Sequence, residues 1–233
     1  MIETLNEHSL HSKLKSIFCP FDGKIEVPIG SFTCDIVCSN GKIIEIQTGN
    51  FYNIVKKLNT LLKDYIIEII YPISVNSYIK TLDAENKTLR CKMSPLHGCI
   101  FQVCKEMSCI KHLSHNKNLK IRLVYIESLV TKIDDKKGRS RYKNPRIIEK
   151  ELIKIINEEY YNSLIELFLE ITKKLPDPFT SNEIKSKGYK KRYGYVISLL
   201  KYLELIEESG KIGNRKIYKK RLMKHIHKPK YIL

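Results

Sequence analysis

The chain has 233 residues, enough for one large domain or two small ones with a substantial buried core. Its 42 Lys plus Arg against 25 Asp plus Glu are unevenly spread: residues 1–130 hold 16 basic and 12 acidic side chains, residues 131–233 hold 26 and 13, which points the C-terminal part toward a polyanion. No apolar run approaches the roughly 18 residues of a membrane-spanning helix, and the seven Cys lie in apolar contexts that suit reduced thiols better than a disulfide framework. With Glu3 and Glu7 where a signal peptide would be basic and then apolar, a soluble cytoplasmic protein is expected.

In chain order, residues 3–18 are predicted as an amphipathic helix carrying Leu5, Leu10, Leu14, Ile17 and Phe18 on one side. Pro20, Asp22 and Gly23 end it. Short strands are expected at 24–27, 32–37 and 42–47, the last two joined by the turn Ser39-Asn40-Gly41. A helix follows at 53–63, then a buried strand at 65–71 closed by Pro72. Extended segments at 77–82 and 88–93 frame an Asn86-Lys87 turn. The polar stretch from Arg90 to Gly98 is either a phosphate contact or a plain loop. Cys99, Cys104, Cys109, His112 and His115 have no usual zinc-knuckle spacing and read as buried thiols and surface imidazoles among helical core positions. Residues 119–128 read as another strand.

The composition turns polar and basic over 131–146, where Arg139 and Arg141 could follow a phosphate backbone, and this segment is the expected linker between domains at 1–130 and 147–233. Helices are then predicted at 145–158 and 160–174, a short one after the N-cap Thr180 or Ser181, and a longer one at 193–205. A strand, glycine turn and strand follow over 206–218.

The chemistry concentrates at the first hairpin. Asp35 lies near the end of one strand. On the next, alternation puts Ile44 and Ile46 on one face and Ile43, Glu45 and Gln47 on the other. Carboxylates that interrupt apolar strands are costly unless paired, hydrogen-bonded or bound to a cation. A Mg²⁺ ion between Asp35 and Glu45 is the economical explanation.

Asp35 followed by Glu45-x-Gln47, within the order helix, three strands, helix, strand, resembles the PD-(D/E)xK nuclease superfamily. The run from Glu26 to Phe51, with Lys57 to Leu62 and Ile70 to Ile73, looks like an uncharacterised prokaryotic group of that superfamily with an appended helical DNA-binding domain. The resemblance implies a restriction-endonuclease-like α/β (α+β) core with a mixed sheet flanked by helices. It also implies a Mg²⁺ or Mn²⁺ ion held by Asp35, Glu45 and the Ile46 carbonyl, with Gln47 positioning water and Glu7 as an accessory acid. Where the superfamily usually carries Lys this chain has Gln47, which can hydrogen-bond a water but brings no positive charge. The site therefore works in modified form or has lost catalysis.

The C-terminal order of helices and glycine hairpin looks like a winged helix. That implies duplex DNA contacts from Lys190, Lys191, Arg192 and Tyr193 at the start of the third helix, and from Lys211, Arg215 and Lys216 on the wing. Three functions stand from the sequence: a metal-dependent DNA endonuclease, a catalytically silent DNA-binding relative, and an RNA-directed nuclease. Symmetric cutting of a duplex would require a homodimer.

Overall fold

Alternating apolar residues commit the first half of the chain to a sheet with two buried faces. A computed structural model describes residues 9–137 and 145–221. In order these form α1 (Ser9–Phe18), β1 (Lys24–Ile29), β2 (Phe32–Val37), β3 (Ile43–Ile46), α2 (Tyr52–Leu61), β4 (Ile67–Leu82) and β5 (Thr88–Met93). Then come a short α3 (Val103–Met107) between 3-10 turns Ile100–Gln102 and Ser108–Leu113, and the long strands β6 (Leu119–Ile133) and β7 (Arg146–Tyr161). The chain continues through α4 (Leu164–Lys173), α5 (Ser181–Ser186), α6 (Tyr193–Tyr202), β8 (Ile206–Ile212) and β9 (Arg215–Lys220).

The fold is α+β with a mixed sheet in the order β1-β2-β3-β4-β6-β7, parallel at β3-β4 and β4-β6 and antiparallel elsewhere, with β5 added to the distal half of β4. On one face, Leu10 and Leu14 of α1 pack against Ile36, Ile44, Ile46, Ile70, Val124 and Ile126. The other face buries Ile43, Ile69 and Leu123 beneath α2, α3 and α4, and this core runs without a break into Ile184, Leu199, Leu200 and Tyr218 of the C-terminal unit. Among the described residues no helix is long and apolar enough to cross a membrane.

Two sequence expectations are corrected here. The helix expected over 145–158 is instead part of the edge strand β7, Arg146–Tyr161. Its apolar doublets Ile147-Ile148, Leu152-Ile153 and Ile155-Ile156 imitate a helical stripe. In the ladder with β6, however, Ile148, Ile153 and Ile156 fall at register shifts, where two residues of β7 face one of β6. Ile133 at the end of β6 also pairs with Arg146 at the start of β7, so both ends of the expected linker 131–146 belong to strands of one sheet and it does not divide domains.

Pro72 likewise fails to end its strand, which runs from 67 to 82 without interruption. The β3 ladder finishes where Gln47 N–H donates to the Ile70 carbonyl at 2.9 Å, so beyond that point a ladder donor on this side has no acceptor to reach.

In the C-terminal unit, Thr180 caps α5 with a reciprocal Glu183 capping box. Phe179 pairs with Tyr218 of β9 through two backbone hydrogen bonds of 2.9 and 2.8 Å. Gly213 takes φ +58° in the two-residue β8–β9 turn, a conformation a side chain would strain. α6 packs against α5 and also against α3 and the Ser108–Leu113 turn, where Lys111 Nζ sits 4.2 Å from the Tyr202 ring centroid.

Candidate active site at the fork between β2 and β3

The β2-β3 ladder consists of two pairs, Ile36 with Ile44 and Val37 with Ile43, after which the strands part. Asp35 fills the fork. Its Oδ2 accepts the Ile46 backbone N–H at 2.8 Å, so a side chain replaces the missing ladder partner. One turn of helix puts His11 and Lys15 of α1 over the same place. His11 Nε2 lies 3.0 Å from the Ile46 carbonyl and 3.4 Å from Asp35 Oδ2. The buried Lys15 ammonium is 4.0 Å from Asp35 Oδ1 and donates to Glu26 at 2.8 Å.

Glu45 leaves β3 on the opposite face, as alternation requires, and is 2% exposed. Lys57 of α2 donates to its Oε2 at 2.7 Å and to the Thr33 carbonyl at 2.7 Å. Its other oxygen, Oε1, is buried with no hydrogen bond of regular geometry, although the Asp35 backbone N–H and the Cys34 thiol lie beside the carboxylate.

The environment drives the two acids apart. Burial alone would raise Asp35, but the His11 and Ile46 hydrogen bonds and the His11 and Lys15 charges outweigh it, and its carboxyl titrates below the usual range. For Glu45, burial is the largest influence, and neither Lys57 nor the hydrogen bond from the Asp35 backbone N–H offsets it. The negative charge of Asp35 adds to the effect, so Glu45 titrates above its usual range. His11 is raised, chiefly by its hydrogen bond to Asp35. Beside them the buried Cys34 thiol is pushed up to about 11 by burial, which leaves it protonated and unreactive at neutral pH. Two carboxylates whose environments push their titration in opposite directions are found at functional sites and equally in structural ion-pair networks.

Gln47 does not face this group. Its Nε2 donates to the Gly49 carbonyl and, at 3.4 Å, to that of Asn50, which braces a loop whose Asn50 adopts φ +48°. Asn50 N–H in turn binds Glu106 of α3 at 3.1 Å. Glu7 lies outside the described residues; the helix-borne groups that reach the fork are His11 and Lys15.

These two residues and Lys57 escaped the sequence reading. The available signals were the i, i+4 spacing of His11 and Lys15 on one face of a predicted helix, and a Lys on the helix that directly follows the Glu45 strand. As for a cation, no group of three or more His, Cys, Asp and Glu side chains among the described residues could hold a metal. Asp35 and Glu45 approach the fork from opposite faces and are already engaged, Asp35 by the Ile46 N–H and Glu45 by Lys57, while the Ile46 carbonyl meets His11. Only the donor type, carboxylate and carbonyl oxygen, suits Mg²⁺ or Mn²⁺, which bind through one or two carboxylates and keep much of their water.

The other basic residues singled out in the sequence are dispersed. Lys190, Lys191 and Arg192 are exposed before α6, and Tyr193 is half-buried with Lys185 Nζ 4.4 Å from its ring centroid. Lys211 and Arg215 are exposed on the hairpin, while Lys216 is engaged by Glu208 at 2.8 Å. Arg139 and Arg141 lie outside the described residues. Cys104 is fully buried, the Cys109 thiol donates to the Glu106 carbonyl, and His112 bonds Asn59.

A protein of Treponema pallidum (strain Nichols), named "Uncharacterized protein", is 32% identical over 219 residues, which cover 94% of this chain and 87% of the relative. No solved structure matches the chain. The model of the family described as Domain of unknown function (DUF8091) matches residues 8–162, from α1 through the end of β7, and so includes the whole sheet and the fork. The chain belongs to that family.

Proposed function

We propose that the protein is a metal-dependent phosphodiesterase acting on DNA, with a PD-(D/E)xK-like core and a winged-helix C-terminal unit. The observation that carries this reading is Glu45: a buried carboxylate in an apolar sheet, held by Lys57 and close to a second carboxylate, Asp35, at the fork. Asp35, Glu45 and the Ile46 carbonyl would hold a Mg²⁺ or Mn²⁺ ion, whose chemistry would be electrostatic stabilisation of charge developing on the phosphoryl oxygens.

The protein's own groups supply the rest. Lys57 brings the positive charge that Gln47 lacks, reaching the site from α2 with its Nζ on Glu45, where its remaining N–H can orient a water or a phosphate oxygen. His11 positions Asp35 and the Ile46 carbonyl. Gln47 shapes the loop that leads into α2. For DNA delivery, support comes from the order α4-α5-α6-β8-β9 and from the exposed face of α6, where Tyr195, Ser198, Lys201 and Tyr202 follow Lys191 and Arg192.

A second reading, a DNA-binding protein without catalysis, is favoured by the Lys15 and Lys57 ammonium groups already set against the two carboxylates. Plasmid, single-stranded DNA and RNA incubated with Mg²⁺, Mn²⁺ or chelator separate the two. The nuclease reading expects metal-dependent cleavage of DNA that vanishes in the Asp35→Ala/Glu45→Ala variant. Duplex binding with no cleavage under any metal would replace it with the second, and cleavage of RNA alone would reassign the substrate.

A further inference from the structure

Beyond the fork, β4, β6 and β7 continue past the helices and are joined by β5, giving a distal sheet whose two faces differ in charge. Register fixes the faces. Across β4 and β6, Ser77 stands beside Ser128, Ile79 beside Val130 and Thr81 beside Lys132; across β4 and β5, Ile79 stands beside Lys92 and Thr81 beside Arg90. Side-chain contacts agree: the Ser77 and Ser128 hydroxyls are 3.1 Å apart, Ser128 reaches Ser74 at 3.2 Å, and Arg90 Nε lies 3.4 Å from Thr81 Oγ1. Ser128 alternates with Val124 and Ile126, the residues that α1 covers, so this is the α1 face, continuous with the side on which His11 and Lys15 approach Asp35.

The carboxylates of the distal strands are on the opposite face. Glu127 sits there with Lys154 at 3.1 Å, and Glu151 and Glu149 follow beside Leu129 and Thr131. On the α1 face, Arg90 and Lys92 are exposed and Lys132 half-exposed, and none of the three has a carboxylate at ion-pair distance among the described residues. A solvated sheet surface normally mixes signs along each strand. Here the α1 face carries three unpaired cations with hydroxyls and none of the distal strand carboxylates, whereas the other face sets Lys80 and Lys154 among Glu127, Glu149 and Glu151. Cations with hydroxyls are the groups that bind phosphate oxygens without reading sequence.

We propose that the α1 face of the distal sheet is a second nucleic-acid contact, in which Arg90, Lys92 and Lys132 carry the phosphodiester backbone of DNA past the fork. It rests on the nucleic-acid part of the function proposed above, and it places substrate on the sheet as well as on the C-terminal unit.

The test is fluorescence anisotropy of labelled duplex and labelled single-stranded DNA with the full chain in chelator, titrated with salt. Replacing the three cations in Arg90→Gln/Lys92→Gln/Lys132→Gln should reduce the slope of log affinity against log salt by about 2.7 on duplex or about 2.1 on a single strand, with at least a roughly tenfold loss at low salt. Lys80→Gln, on the opposite face of β4, should leave the slope unchanged. If the triple variant does not fold, Arg90→Gln/Lys92→Gln on the exposed strand β5 should still reduce the duplex slope by about 1.8. An unchanged slope in these variants, with a reduced one in Lys211→Gln/Arg215→Gln, overturns the inference and leaves the C-terminal reading intact. No binding by the unaltered protein overturns both, whereas binding through this face with no cleavage in any metal removes only the nuclease reading.

Discussion

β4 passes through two environments, and the contrast separates how the protein holds charge for geometry from how it holds charge for contact. Residues 67–73 are buried on both faces, whereas 74–80 are half-exposed. Around the buried half, each charge has a partner: Glu45 has Lys57, Asp35 has His11 and Lys15, and the fully buried Glu68 has Lys42 and Arg122. Along the α1 face of the exposed half, Arg90, Lys92 and Lys132 stand apart from carboxylates, while on the other face Lys154 pairs with Glu127. Removing charge from water is expensive and is tolerated where each ion has a partner in fixed geometry, whereas an exposed cation costs little and stays available to a polyanion.

The largest expected effect is on catalysis at the buried end. Asp35→Ala/Glu45→Ala should lower metal-dependent DNA cleavage by more than about 10³-fold, and Lys57→Met by about 10²–10³, the usual loss of one stabilising donor in a pre-organised site. Gln47→Ala should cost less than Lys57→Met, because its amide serves the 49–50 loop. Rates of supercoil loss in Mg²⁺ check the order, and a larger loss at Gln47 than at Lys57 would return the water-orienting role to Gln47.

Stability should follow the same division. Ile69→Ala, at 0% exposure, should cost about 2–5 kcal/mol, while Ile79→Ala ten residues along the same strand should cost less than about 1.5. Glu68→Ala should cost about 2 kcal/mol, below the 3–5 typical when a buried pair loses one ion, since Lys42 and Arg122 are 27% and 30% exposed and can turn to water. Urea melts of the three variants test this. Equal losses at Ile69 and Ile79 would mean that something packs on the distal sheet in solution.

How much could be read from the sequence follows the same line. Strands β1 to β3, α2 and the division of Ile44 and Ile46 from Glu45 were legible, because alternation and the Asn40-Gly41 turn are local signals. The partners of the acids were not, since His11, Lys15 and Lys57 are brought to the fork by packing of two helices on opposite faces. β7 was misread because three β-bulges double its apolar positions and give a strand the period of a helix, in a Lys- and Glu-rich stretch that favours that reading. The continuity of β4 through Pro72 depends on where a neighbouring strand stops, which no local pattern records.

The smallest effect belongs to an exposed charge held for geometry, which sharpens the contrast because it combines traits of both regions. Glu183 closes the capping box of α5, accepting from the Thr180 backbone N–H at 2.6 Å and from its hydroxyl at 2.8 Å. These bonds hold its carboxyl below the usual value of 4.5, with the Thr180 hydroxyl the largest cause. A carboxyl depressed in the folded state adds stability that is present above its unfolded value and disappears as pH falls through the folded one. Thr180→Ala should therefore cost about 1 kcal/mol at pH 7, and the gap between variant and parent should narrow as pH falls from about 5 toward 3. Urea melts across that range read the difference directly. A gap constant with pH would assign the cap to the Thr180 hydroxyl alone, and Glu183 would then join the exposed charges that do nothing for the fold.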